Sequence, residues 1–146
     1  MSAPTVDVNA LVEVRMARQS VLTGPNPPRL RVIVHEAAML ASAPEKGVIR
    51  DQLQRLLDVT SYSHITVQVL TLDAELHPGV TGGFTVFDFE QPGFDMVLLE
   101  NLESSLYVEE PESVARYVEA FERLTAAALS FSKSRALIAE LKERTR

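Results

Sequence analysis

The stretch HITVQVLTL, residues 64–72, decides the fold. In an extended chain Ile65, Val67 and Val69 point one way, and Thr66, Gln68 and Leu70 the other. The first set is entirely β-branched, which predicts a strand with one firmly buried face. Gln68 falls in the second set. Buried without a partner it would cost about 1–3 kcal/mol. It therefore either hydrogen-bonds a neighbouring strand end or points into a cavity.

Downstream of this strand comes LHPGVTGGF, residues 76–84, with one His, one Pro and three Gly between apolar runs. Its glycines supply backbone conformations that other residues resist, and the reading is a loop joining two antiparallel strands. It is longer than a tight hairpin needs, and long ordered loops carry function, so a recognition role for His77 stays open. FTVFDF (84–89), FDMVLLE (94–100) and LYV (106–108) read as further short strands, with a turn at QPG.

Upstream, residues 6–22 read as a helix with Leu11, Val14 and Val21 on one face. Asp7 or Asn9 caps its start, and Gly24 with Pro25 stops it. PNPPRL is a stiff connector, LRVIV (30–34) a buried strand, and HEAAML a short helical turn. Ile49, Leu53, Leu56 and Leu57 line an amphipathic helix over residues 49–59. Pro111 suits the first turn of a helix continued by Val114, Tyr117, Val118, Phe121, Leu124 and Ala128. Ser130 caps the last helix, whose stripe is Leu137, Ile138 and Leu141. The order predicts an α+β, or mixed α/β, domain: a small, mostly antiparallel sheet of about three to five strands flanked by about four helices.

A chain of 146 residues suits one domain, spanning residues 1–146, with a core of its own. No run approaches the roughly 18 apolar residues of a membrane span, and the N-terminus lacks the pattern of a signal peptide. There is no Cys, so thiolate and disulfide chemistry are excluded. A cytoplasmic location is the simple expectation. The net charge is −6, and its placement is lopsided. No Lys or Arg lies between Arg55 and Arg116, a span holding eleven acids. That segment repels phosphate backbones, which are bound through Lys and Arg. It suits a basic protein partner, or serves as a solvated acidic face.

Phosphate-loop, dinucleotide, zinc-protease and serine-hydrolase motifs are all missing. No cofactor and no metal is expected. The sharpest catalytic arrangement available is His77 with Glu36 and Glu100, as a metal or acid–base set, although nothing in the spacing makes the three meet. Phe84, Phe87, Phe89 and Phe94 crowd into eleven residues. They read as core, or as one wall of a ligand pocket with Gln68 and Tyr107.

Taken in order, VEVRMARQSVLTGPNPPRLRVIVHEAAML, QLQRLL, ITVQVL, HPG, GGF, Glu100 and YVEEPESVARYVEAFERLTAAALS with SRALI resemble a known pattern. It is that of the C-terminal domain, of unknown function, in WhiJ-type, Scr-like helix-turn-helix regulators of the XRE class from actinomycetes. The resemblance covers residues from about 6 to about 140. It implies a non-enzymatic, antitoxin-like regulatory domain that works by protein–protein interaction with a small protein encoded nearby. It implies that DNA is read only by a separate helix-turn-helix domain, absent from this chain along with the opening piece of the regulatory domain. If that piece normally covers a face, an apolar patch and a homo-oligomer are expected.

Family positions fall on Arg15, Arg18, Gln19 and Leu22, on Glu36 and Gln68, on His77, Gly79 and Phe84, and on Glu100, Tyr107, Tyr117 and Phe121. The binding candidates among them are Glu36, Gln68, His77, Gly79, Phe84, Glu100 and Tyr107, none with a catalytic role. Thr71, Gly83 and Leu98 depart from the family pattern.

Overall fold

The computed structural model describes residues 7–40, 45, 47–74, 82–101 and 104–145. Its centre is β2 (Ile65–Leu70), where Ile65, Val67 and Val69 are buried as their alternation predicts. They meet Leu53 of α3 (Val48–Val59) and Ile138 and Leu141 of α5 (Phe131–Arg144) in one apolar cluster. Burying each such side chain contributes about 1.5–3 kcal/mol.

β1 (Leu30–His35) pairs with β2 in parallel, from Leu30 opposite Ile65 to His35 opposite Leu70. A parallel pair needs a crossover of a dozen or more residues. α2 (Glu36–Met39) and α3 supply it. Leu30, Val32 and Val34 join the same cluster, so Arg31 and Ile33 face the other way with Gln68.

α4 (Pro111–Ala127) lies against that second face. Arg31 donates to Glu122 at 3.0 Å and to Thr125 Oγ1 at 3.3 Å, with its guanidinium 5.1 Å from the Phe121 ring centre. The connection from α4 to α5 then closes the free edge of β2. Leu129 N–H donates to the Val69 carbonyl at 2.9 Å. Val69 N–H donates to Ser134 Oγ at 2.9 Å, and Ser134 Oγ donates to the Leu129 carbonyl at 3.3 Å. Gln68 Nε2 donates to the Leu129 carbonyl at 3.0 Å, and Thr125 O accepts from it at 3.4 Å.

A second sheet is antiparallel, in the order β3 (Phe84–Phe87), β4 (Met96–Glu100), β5 (Ser105–Val108). Phe84 opposes Leu99, Val86 opposes Val97, and Val97 opposes Val108. These side chains share the face turned to α4, where Val97 is fully buried and the Phe84 ring lies 5.2 Å from Tyr117. Gly93, at φ 89°, makes the turn before β4 that a side chain would strain.

α1 (Val8–Gln19) stands apart. Asp7 caps it by accepting from Ala10 N–H at 3.1 Å. After Gln19 the chain tightens into a 3-10 turn, Ser20–Thr23, rather than continuing as α-helix. The turn is held by His64 Nε2, 2.6 Å from the Leu22 carbonyl oxygen, and Arg55 reaches Gln19 at 3.4 Å. No residue of α1 itself is buried.

The mixed α+β class of the sequence reading holds, with five α-helices among the described residues where about four were expected and with two corrections to the sheet. The strands divide into two sheets, and the pair β1–β2 is parallel. Residues 76–84 therefore do not join paired antiparallel strands, since β2 and β3 belong to different sheets. The physical reason is that the α4–α5 connection already occupies the β2 edge that β3 would need.

Two stability tests follow from these contacts. Ser134→Ala leaves the buried Val69 N–H without an acceptor, and chemical denaturation is expected to show a loss of about 1–3 kcal/mol. Phe84→Ala removes the ring held on Tyr117 and is expected to cost about 2–3 kcal/mol. Tyr107→Ala, on the opposite face, is expected to change stability by no more than about 0.5 kcal/mol.

Candidate functional site

The second sheet has two faces, and α4 covers only one. The uncovered face carries Thr85 and Phe87 from β3, Met96, Leu98 and Glu100 from β4, and Ser105 and Tyr107 from β5. Leu98 stands directly opposite Tyr107, so their side chains meet across the strands. Phe89 and Phe94 extend this apolar surface beyond the strand ends. Tyr107 is 59% exposed, Phe94 61%, Phe89 47% and Phe87 38%.

Its origin is legible in β4. Met96, Val97, Leu98 and Leu99 form an unbroken apolar run. Such runs belong to strands buried on both faces, whereas a strand with one wet face alternates. Here Val97 and Leu99 face α4, while Met96 and Leu98 face outward. Beside them, Phe89, Glu90, Gln91, Phe94 and Met96 line an open hollow of about 420 Å³.

The electrostatics are one-sided. Asp88, Glu90, Glu100 and Glu109 are exposed around this face, and no Lys or Arg occurs from residue 56 to residue 115. Asp95 is the exception in role: its carboxylate accepts from Phe89 N–H at 3.0 Å and fixes the segment entering β4.

The sequence candidates fall in several places. Glu100 and Tyr107 share the uncovered face as diagonal neighbours, because Glu100 opposes Ser105 and Leu98 opposes Tyr107. Phe84 points the other way, onto Tyr117. Gln68 belongs to the first sheet and spends its amide on the Leu129 and Thr125 carbonyls, so it is hydrogen-bonded, but to the end of α4 and the turn after it rather than to the strand end of the sequence reading. The hollow is thus lined by two of the four clustered Phe, without Gln68, Phe84 or Tyr107. Glu36 opens the short helix α2, where His35 Nδ1 accepts from Ala37 N–H at 3.1 Å.

His77 and Gly79 lie outside the described residues. Glu36 and Glu100 sit in different sheets' surroundings, one after β1 and one at the end of β4. Among the described residues, no three His, Asp or Glu side chains gather so as to hold a metal ion. Nor is any helix among them long and apolar enough to cross a membrane.

Sequence reasoning missed the outward placement of Met96 and Leu98, which are half-buried, although the run MVLL carried the signal. It also missed Ser134, which is fully buried and bonded to β2. A Ser in the first turn of a helix reads as solvated, and only the packed β2 edge reveals its use.

No curated protein and no solved structure matches the chain. Residues 1–140 match the model of a protein family described as "Domain of unknown function (DUF5753)", and the chain belongs to that family.

Proposed function

We propose that this chain is a non-catalytic regulatory domain that acts by binding another protein through the uncovered face of β3–β4–β5. The observation that carries this reading is that face itself. It is a contiguous aromatic and aliphatic surface rimmed by acids and left bare by the other described residues. Exposed patches of this kind mark interaction sites. Aromatic residues such as Phe94 and Tyr107 are the usual energetic centre of such interfaces. The rim selects a partner that presents Lys or Arg around an apolar centre.

The resemblance to WhiJ-type, XRE-class regulators adds a setting. In it the domain tunes a separate helix-turn-helix module in the cytoplasm of an actinomycete. The partner is then a small protein encoded nearby, as in antitoxin-like pairs. A second reading, small-molecule sensing, is favoured by the hollow beside Phe89, Phe94 and Met96, whose volume falls in the range of ligand pockets.

One pair of variants separates the two. Phe94→Ser with Tyr107→Ser is expected to leave the melting temperature within about 2 °C, since both side chains are exposed. Native mass spectra of the protein purified gently from its host are expected to show a bound protein with the wild type and none with the double variant. A bound mass of roughly a few hundred daltons, and no protein, would replace the interaction reading with the sensing one.

A further inference from the structure

α1 poses a physical problem that the rest of the chain does not solve. Val8, Val12 and Met16 form one stripe along it, and Leu11 and Val14 lie on another side. All five are between 48% and 66% exposed. Asn9, Glu13, Arg15, Arg18 and Gln19 are interspersed with them, so no single face of α1 is apolar, and none of its exposed apolar side chains is buried among the described residues. A helix of 12 residues without packing is marginal in water.

The charge around α1 is equally specific. α1 carries Glu13 and is capped by Asp7, and from Val14 to His35 the chain adds Arg15, Arg18, Arg29 and Arg31 with no further acid. Arg31 is held by Glu122, whereas Arg15, Arg18 and Arg29 make no ion pair among the described residues. The chain thus presents a helix with exposed apolar side chains, two Arg and one Glu and, elsewhere, an apolar sheet face rimmed by Asp88, Glu90, Glu100 and Glu109.

The dimensions agree as well. Twelve residues of helix span about 18 Å and a width of about 10 Å. Three strands spaced by about 4.8 Å, each about 13–17 Å long, offer a bed of that size. One helix on one sheet buries less than the roughly 1,200–2,000 Å² of a stable interface, and two such contacts reach it.

We infer that two copies of this chain form a two-fold dimer in which α1 of each lies on the outward face of β3–β4–β5 of the other. The exchange is reciprocal, so the assembly closes at two and leaves neither surface bare. This rests on the proposed function of that face and seats a second copy where the small protein of the regulatory setting would otherwise bind, through Arg15 and Arg18 over Glu90 and Glu100.

The test is a charge exchange between copies, read by analytical ultracentrifugation of the full chain. Wild-type protein is expected to sediment at twice the monomer mass and to dissociate on roughly hundredfold dilution. Arg15→Glu with Arg18→Glu, and separately Glu90→Lys with Glu100→Lys, are each expected to weaken the dimer at least about tenfold. An equal mixture of the two variants is expected to recover the dimer, because every helix in the mixed pair then meets a sheet of opposite charge. All four side chains lie on the surface, and circular dichroism checks that both variants fold.

Hydrogen exchange gives a second readout. Amides of α1 are expected to be protected at high protein concentration and to exchange rapidly at low concentration. A wild type that is monomeric throughout, or a mixture that fails to recover the dimer, overturns the inference. A monomer that still binds a basic protein through Phe94 and Tyr107 does so too, while leaving the interaction reading intact. Loss of both the dimer and that binding removes both.

Discussion

The fold depends on the closure of one strand edge. β2 has β1 on one side and, on the other, the buried N–H and carbonyl of Val69. Left unpaired in the core, each would cost about 1–3 kcal/mol. The α4–α5 connection satisfies both, through Leu129 N–H and Ser134 Oγ, and Gln68 ties the same turn down by its carbonyls. Because that connection wraps around the edge of the sheet, the helices it joins emerge on opposite faces. α5 packs on Ile65, Val67 and Val69, while α4 crosses Arg31 and Gln68. A few hydrogen bonds thereby set the order of three layers.

The place of the second sheet follows from that commitment. Phe121, Glu122 and Thr125 of α4 engage the first sheet, one to two turns after Tyr117 has received Phe84 from the second. One helix therefore serves two sheets, and no other described helix lies over the far face of β3–β4–β5. The half-covered sheet is a consequence of helix supply: α3 and α5 are used on β1–β2, and α1 buries none of its residues among the described residues.

Much of this was legible in the residues. The alternation of Ile65, Val67 and Val69 identified the buried face of β2, and Asp7, Pro111 and Ser130 marked helix starts that their backbones confirm. What failed was the pairing of strands. Periodicity reports which face of a strand is buried and says nothing of which neighbour completes its edge. A turn between helices competed for the β2 edge and won, and no local pattern announces such a partner. The site was half legible for a related reason. Tyr107 and Glu100 were found as candidates, but the outward role of Met96 and Leu98 depends on knowing that only one helix covers the sheet. Phe84 was grouped with Phe89 and Phe94 by nearness in sequence, whereas the pleat separates Phe84 from the outward face that Phe89 and Phe94 extend.

The acidity of residues 56–115 gains a physical meaning from this geometry. A small sheet with a bare apolar face and open edges invites pairing with copies of itself, face to face or edge to edge. Eleven acids and no base make those contacts repulsive, because any approach of two such sheets brings like charges together. The same field attracts an element that exposes apolar side chains and carries more Arg than acid. Charge therefore does not supply the adhesion, which comes from Phe87, Phe94, Leu98 and Tyr107. It determines which apolar surface is admitted. α1 leaves Val8, Leu11, Val12, Val14 and Met16 exposed and sets Arg15 and Arg18 against the single Glu13, so the rim that bars a sheet is open to that helix.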